Sequence, residues 1–89
     1  KYFGVELKFT HHAILRMSER SISEAEVYEV FESPILVMEK KSALVIGHTT
    51  QGRILTLVLD LSRKRLLTLW PSSRQEKRLY RDKMERRME

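Results

Sequence analysis

Apolar and polar residues alternate along Val5-Glu6-Leu7-Lys8-Phe9, the period of a strand with one face buried. The period then lengthens. Thr10 can cap a helix over His11–Arg20, in which Ala13 and Met17 recur at the four-residue spacing of one helix face. Ser21-Ile22 makes a short link, and Ser23 with Glu26 has the spacing of a capping box for a second helix, Glu24–Glu32. Val27, Val30 and Phe31 supply its apolar side. Ser33-Pro34 ends it, because a proline disfavours helical geometry in the residue before it.

Four strand-like runs follow, Ile35–Lys40, Ala43–His48, Ile54–Asp60 and Arg65–Trp70. They are separated by Lys41-Ser42, Thr50-Gln51-Gly52 and Leu61-Ser62-Arg63-Lys64, and connectors this short join antiparallel neighbours. The third run, Ile54-Leu55-Thr56-Leu57-Val58-Leu59, is apolar on both faces and is expected at the centre of the sheet. A last helix starts at about Ser72, with Ser73 and Glu76 or Ser72 and Gln75 as its capping box. Its apolar stripe is thin, Tyr80, Met84 and Met88, so its distal half is expected to project from the body or to await a partner. The pattern predicts an α+β fold in the order β-α-α-β-β-β-β-α. An antiparallel four-stranded meander would pack on the two N-terminal helices, with a basic helix at the C-terminus.

Composition narrows the class. Eighty-nine residues suit one domain, 1–89, with residues 72–89 as the partly projecting helix. Apolar residues make up 42% of the chain, enough for a core, and the net charge of +5 suits RNA, DNA, an acidic protein or an anionic membrane surface without choosing among them. The absence of cysteine excludes thiolate catalysis, disulfides and thiolate metal sites, and suits a cytoplasmic location. No apolar run approaches the roughly 18 residues of a membrane span, so no membrane partner is expected. Without a glycine-rich phosphate loop or a G-x-S-x-G elbow, P-loop and acyl-transfer chemistry are excluded too.

Two basic stripes carry the candidate chemistry. In the first helix His12, Arg16 and Arg20 recur every four residues and share a face. A histidine and two guanidinium groups so placed can bind a phosphodiester and move a proton near neutral pH. In the last helix Arg74, Lys77, Arg78 and Arg81 share a face, beside Tyr80 and close to the free N–H groups of a helix start. The plainer alternative for both is a solvated helix face, with Glu19 or Glu24 pairing to the first set. Glu76 reads as a cap rather than a general base, and Tyr80 can stack on a base or help in proton transfer, although its four-residue step to Met84 favours packing. Trp70, at a strand end, reads as core or rim. His11, His12 and His48 predict no metal site, since adjacent helical histidines diverge by about 100° and no carboxylate stands at ligand spacing. No other cofactor is expected.

Two stretches resemble known families. His12-Ala13, Arg16-Met17, Arg20 and Ile22-Ser23 match the "HAxxRMxxRGIS" opening of a widespread family of small uncharacterised bacterial and archaeal proteins. Gly52-Arg53-Ile54-Leu55 through Trp70, with Ser73-Arg74, Glu76, Arg78 and Tyr80, is similar to the C-terminal half of BrnT-type toxins, where a strand pair leads into "ARxASRxERRxYE". Ser21 stands where the first family has glycine. Leu69-Trp70-Pro71-Ser72-Ser73 replaces the strand end of the second, and with it the arginine just before the final helix.

The resemblance implies a RelE/ParE-like fold and a prokaryotic type II toxin, a metal-independent endoribonuclease that blocks translation and is neutralised by a ribbon-helix-helix antitoxin encoded beside it. Carried onto matching positions, it implicates His12 and Arg16 from the first motif and Arg74, Glu76, Arg78 and Tyr80 from the second. In that reading Arg74 and Arg78 stabilise the phosphate, supported by Arg16, Arg20, Lys77 and Arg81. His12 transfers the proton and Tyr80 is the reserve donor. The partners would be RNA, free or on the ribosome, and the antitoxin, in a homodimer or a heterotetramer. Two alternatives belong to other classes: a noncatalytic nucleic-acid- or protein-binding module, and a ParE-like toxin acting on a protein target such as gyrase.

Overall fold

The computed structural model describes residues 7–39 and 41–88, the last two by their backbone alone. Its elements run β1 (Lys8–Phe9), α1 (His11–Arg20), α2 (Glu24–Glu32), β2 (Leu36–Glu39), β3 (Ala43–His48), β4 (Ile54–Asp60), β5 (Arg65–Pro71) and α3 (Arg74–Met88). This is an α+β architecture, and the element order is the one the pattern predicts. Val5, Glu6 and Lys40, assigned to strands from the sequence, lie outside the described residues.

The sheet corrects the expected four-stranded meander. It has five strands in the order β1-β5-β4-β3-β2, and it is mixed. Short connectors do make β2 to β5 antiparallel neighbours, with β4 central. β1 obeys no such restriction, because two helices separate it from the rest. It returns beside β5 and runs parallel to it, through Lys8 N–H to Lys64 O (2.8 Å) and Thr10 N–H to Leu66 O (3.2 Å). The Val58/Leu59 register shift against β5 falls next to that junction.

The predicted caps account for the helix ends. Thr10 Oγ1 accepts from Ala13 N–H and donates to Leu66 O (2.9 Å), so one hydroxyl starts α1 and ties it to β5. Ser23 and Glu26 form the expected capping box of α2. α1 ends on Ser21 in the left-handed region (φ 53°), which explains why glycine suits that position in the family that the motif resembles. α3 begins at Arg74 rather than Ser72. Ser73 and Glu76 make its box, and Ser72 is instead buried with its hydroxyl against Thr56 Oγ1 (2.7 Å).

One face of the sheet carries the core. Ala43, Val45, Leu55, Leu57, Leu59, Leu66 and Leu69 pack with Ala13, Ile22, Val27 and Val30 of the α1–α2 layer, and Met17 and Phe31 close its margin. Gly47 permits the closest approach. A β-carbon there would sit 2.8 Å from Val30 Cγ1 and 2.9 Å from Val30 O. The next residue, His48, meets Tyr80 of α3. Successive strand residues face opposite sides, so α1 and α2 cover one face of the sheet and α3 lies on the other.

Candidate nucleic-acid interface

α3 crosses the sheet at one end. Ser72, just before it, bonds to Thr56 of β4, Glu76 accepts from Trp70 Nε1–H of β5 (3.0 Å), and Tyr80 reaches His48 at the end of β3 and Pro34 ahead of β2. Farther along the strands Met38, Leu44 and Val58 stay half-buried, and with Lys41 and Ser42 they line an open concavity of ≈ 560 Å³.

The face of α3 follows from these anchors. Tyr80 points at the sheet and Glu76 turns inward to Trp70. Arg74, Lys77, Arg78 and Arg81 fall within a sector of roughly 100° on the opposite flank, turned away from these anchors. With Asp82 and Glu85 they line a shallow surface concavity of ≈ 280 Å³. None of the four cations forms an ion pair or hydrogen bond among the described residues; Arg74, Arg78 and Arg81 are exposed and Lys77 is half-buried. Such a row of unneutralised cations is suited to phosphates.

Glu76 is occupied. Burial works to raise its pKa, but hydrogen bonding, with the Ser73 N–H and Trp70 Nε1–H donating to the carboxylate, outweighs it and holds the carboxyl below the usual glutamate value. A carboxylate so stabilised is a weak base, in line with its reading as a cap.

Tyr80 corrects an expectation. Read as a reserve proton donor, it is 4% exposed, and its hydroxyl donates to Pro34 O (2.8 Å) while lying 2.7 Å from His48 Nδ1. Burial pushes the phenol above its ordinary pKa. It anchors α3 and offers no free proton to a substrate.

The α1 stripe is placed elsewhere. His12 is exposed, on the helix layer behind the sheet, and makes no hydrogen bond or ion pair among the described residues. The structure therefore does not bring His12 together with Arg74, Arg78 and Tyr80, the grouping the motifs imply, because the sheet lies between them. Arg16 pairs with Glu19, and Arg20 donates to Leu69 O (2.9 Å). Arg20 is thus engaged on the protein's own backbone, whereas the Arg16–Glu19 pair is an exposed contact within the helix.

Two groups escaped the sequence reading. Arg53 donates to Ser21 O (2.9 Å) and Arg20 O (3.0 Å) and approaches Glu26 Oε2 (3.4 Å), clamping the end of α1 to the β3–β4 turn. His48 sits at the last position of β3, and its partner Tyr80 is 32 residues away in sequence, a separation that leaves no local signal. Among the described residues no group of three or more histidine, aspartate or glutamate side chains converges as a metal site, and no helix is long and apolar enough to cross a membrane.

A family model described as a domain of unknown function, DUF4258, matches residues 9–69, from Phe9 at the end of β1 to Leu69 within β5. No curated protein and no solved structure matches the chain.

Proposed function

The chain belongs to the DUF4258 family, and we propose that it binds RNA through the outward flank of α3, with Arg74, Lys77, Arg78 and Arg81 on the phosphates. What carries this reading is the row of four cations on one helix face with no carboxylate paired to them among the described residues. Guanidinium groups one turn apart can each grip a phosphate at two points.

The fuller form of the proposal is the type II toxin that the BrnT resemblance implies, a metal-independent ribonuclease held by a ribbon-helix-helix antitoxin. A histidine at the α3 end of the sheet favours it, since cleavage needs a proton-transfer group near the bound phosphate. His12 is not that group in this proposal.

Titration of labelled single-stranded RNA across a range of salt concentrations tests the binding. Affinity should fall linearly on a log–log plot, and Arg74→Ala and Arg78→Ala should each flatten the slope by about 0.7. A slope that neither substitution changes, or no RNA binding by the parent, would remove α3 as the interface. Expressing the chain with and without the gene next to it, while following growth and bulk translation, tests the toxin reading.

A further inference from the structure

The His48–Tyr80–Pro34 chain has a consequence for chemistry. A phenol has one hydrogen, and Tyr80 gives it to Pro34 O at 2.8 Å. The His48 Nδ1 that lies 2.7 Å from the same oxygen must then be the donor, so it carries hydrogen. An imidazole with hydrogen on Nδ1 has its lone pair on Nε2, and Nε2 has no partner among the described residues. His48 keeps part of its surface accessible, and its backbone N–H is fixed by Ser33 Oγ (3.2 Å), so the ring stands on a rigid strand end. On α3, Lys77 lies one turn before Tyr80 and Arg81 directly after it, so two of the cations flank in sequence the residue that holds the imidazole.

We propose that His48, oriented through Nδ1 by the Tyr80 hydroxyl and open at Nε2, is the proton-transfer group for RNA held on the α3 cations. This rests on the ribonuclease reading above and names its missing catalytic residue. The ribose 2′-oxygen attacks the adjacent phosphorus and passes its proton to Nε2. The P–O5′ bond then breaks, and the departing O5′ takes a proton back from the imidazolium. The products are a 2′,3′-cyclic phosphate and a 5′-hydroxyl, with no oxidant and no net proton. Tyr80 is a positioning residue, acting only through the imidazole.

Nitrogen-15 NMR of the full chain, labelled at histidine, reads the tautomer directly. Neutral His48 should be in the Nδ1–H form, the less common one for free imidazole, and Tyr80→Phe should shift it toward Nε2–H. A parent His48 in the Nε2–H form overturns the proposal. On a labelled RNA substrate, His48→Gln should slow cleavage by about 10²–10⁴-fold while leaving RNA affinity nearly unchanged, and Tyr80→Phe should slow it less. Cleavage by the parent with an undiminished rate in His48→Gln overturns the role of His48 and leaves the ribonuclease reading standing. A parent that binds RNA and never cuts it overturns both, and leaves binding by α3 intact.

Discussion

α1 and α3 carry almost the same message in sequence, cations repeated every three or four residues along one helix face, and the fold uses them in opposite ways. In α1 two of the charges are taken up by the protein's own acceptors. Arg16 pairs with Glu19, Arg20 caps the Leu69 carbonyl on β5 where β1 no longer covers it, and Arg53 closes over the end of the helix. In α3 the charges are left outside, because Tyr80 and Glu76 take the inward positions and the four cations occupy the opposite flank. A basic stripe is therefore a statement about spacing, and whether it meets a ligand or the protein's own carbonyls depends on what lies beneath it.

The strongest way to break this contrast is Arg53→Ala. If α1's surroundings are structural, removing a guanidinium that satisfies two carbonyls should cost about 1–3 kcal/mol of stability, measured by urea denaturation. It should leave the salt dependence of RNA binding as in the parent. A loss of RNA binding without loss of stability would reverse the assignment of the two helices.

Acid should loosen α3 by a smaller amount. Glu76 has a folded-state pKa below its unfolded one, so its contribution is fully present above the ordinary glutamate value and is lost as pH falls through the depressed one. Trp70 is the only tryptophan and donates to Glu76, so its fluorescence should report the release in that acidic window. Glu76→Gln should abolish most of the change, and an identical acid transition in that variant would show that another group holds the helix. The smallest effect is expected at His12. As an exposed side chain without a partner among the described residues, its replacement by alanine should move stability by no more than about 0.5 kcal/mol. A loss above about 1 kcal/mol would mean that α1 uses this side chain as it uses Arg20.

Local signals were legible wherever the cause is local. Thr10, Ser23 and Ser73 stand where their hydroxyls cap the helices that follow, and the bounds of α1, α2, β3 and β4 follow from period and caps alone. The start of α3 was read two residues early, since nothing in Ser72-Ser73 tells which serine caps and which is buried against Thr56. Of the candidate site, the four α3 cations were visible as a stripe. The pairing of His48 with Tyr80 carries no local signal, while His12 stands out at the head of its motif.

By itself, then, the sequence determined the elements, their order, the antiparallel run from β2 to β5 and the central place of β4, because periodicity, capping and short connectors act over a few residues. Only the tertiary structure decided where β1 docks, since two intervening helices leave its partner and direction open. It also decided which face each helix covers. That choice put His12 behind the sheet, set His48 beneath Tyr80 and left the α3 cations facing outward. Those placements depend on contacts such as those of Tyr80 with His48 and Pro34, 32 and 46 positions away, which burial of the whole core selects and no local pattern records.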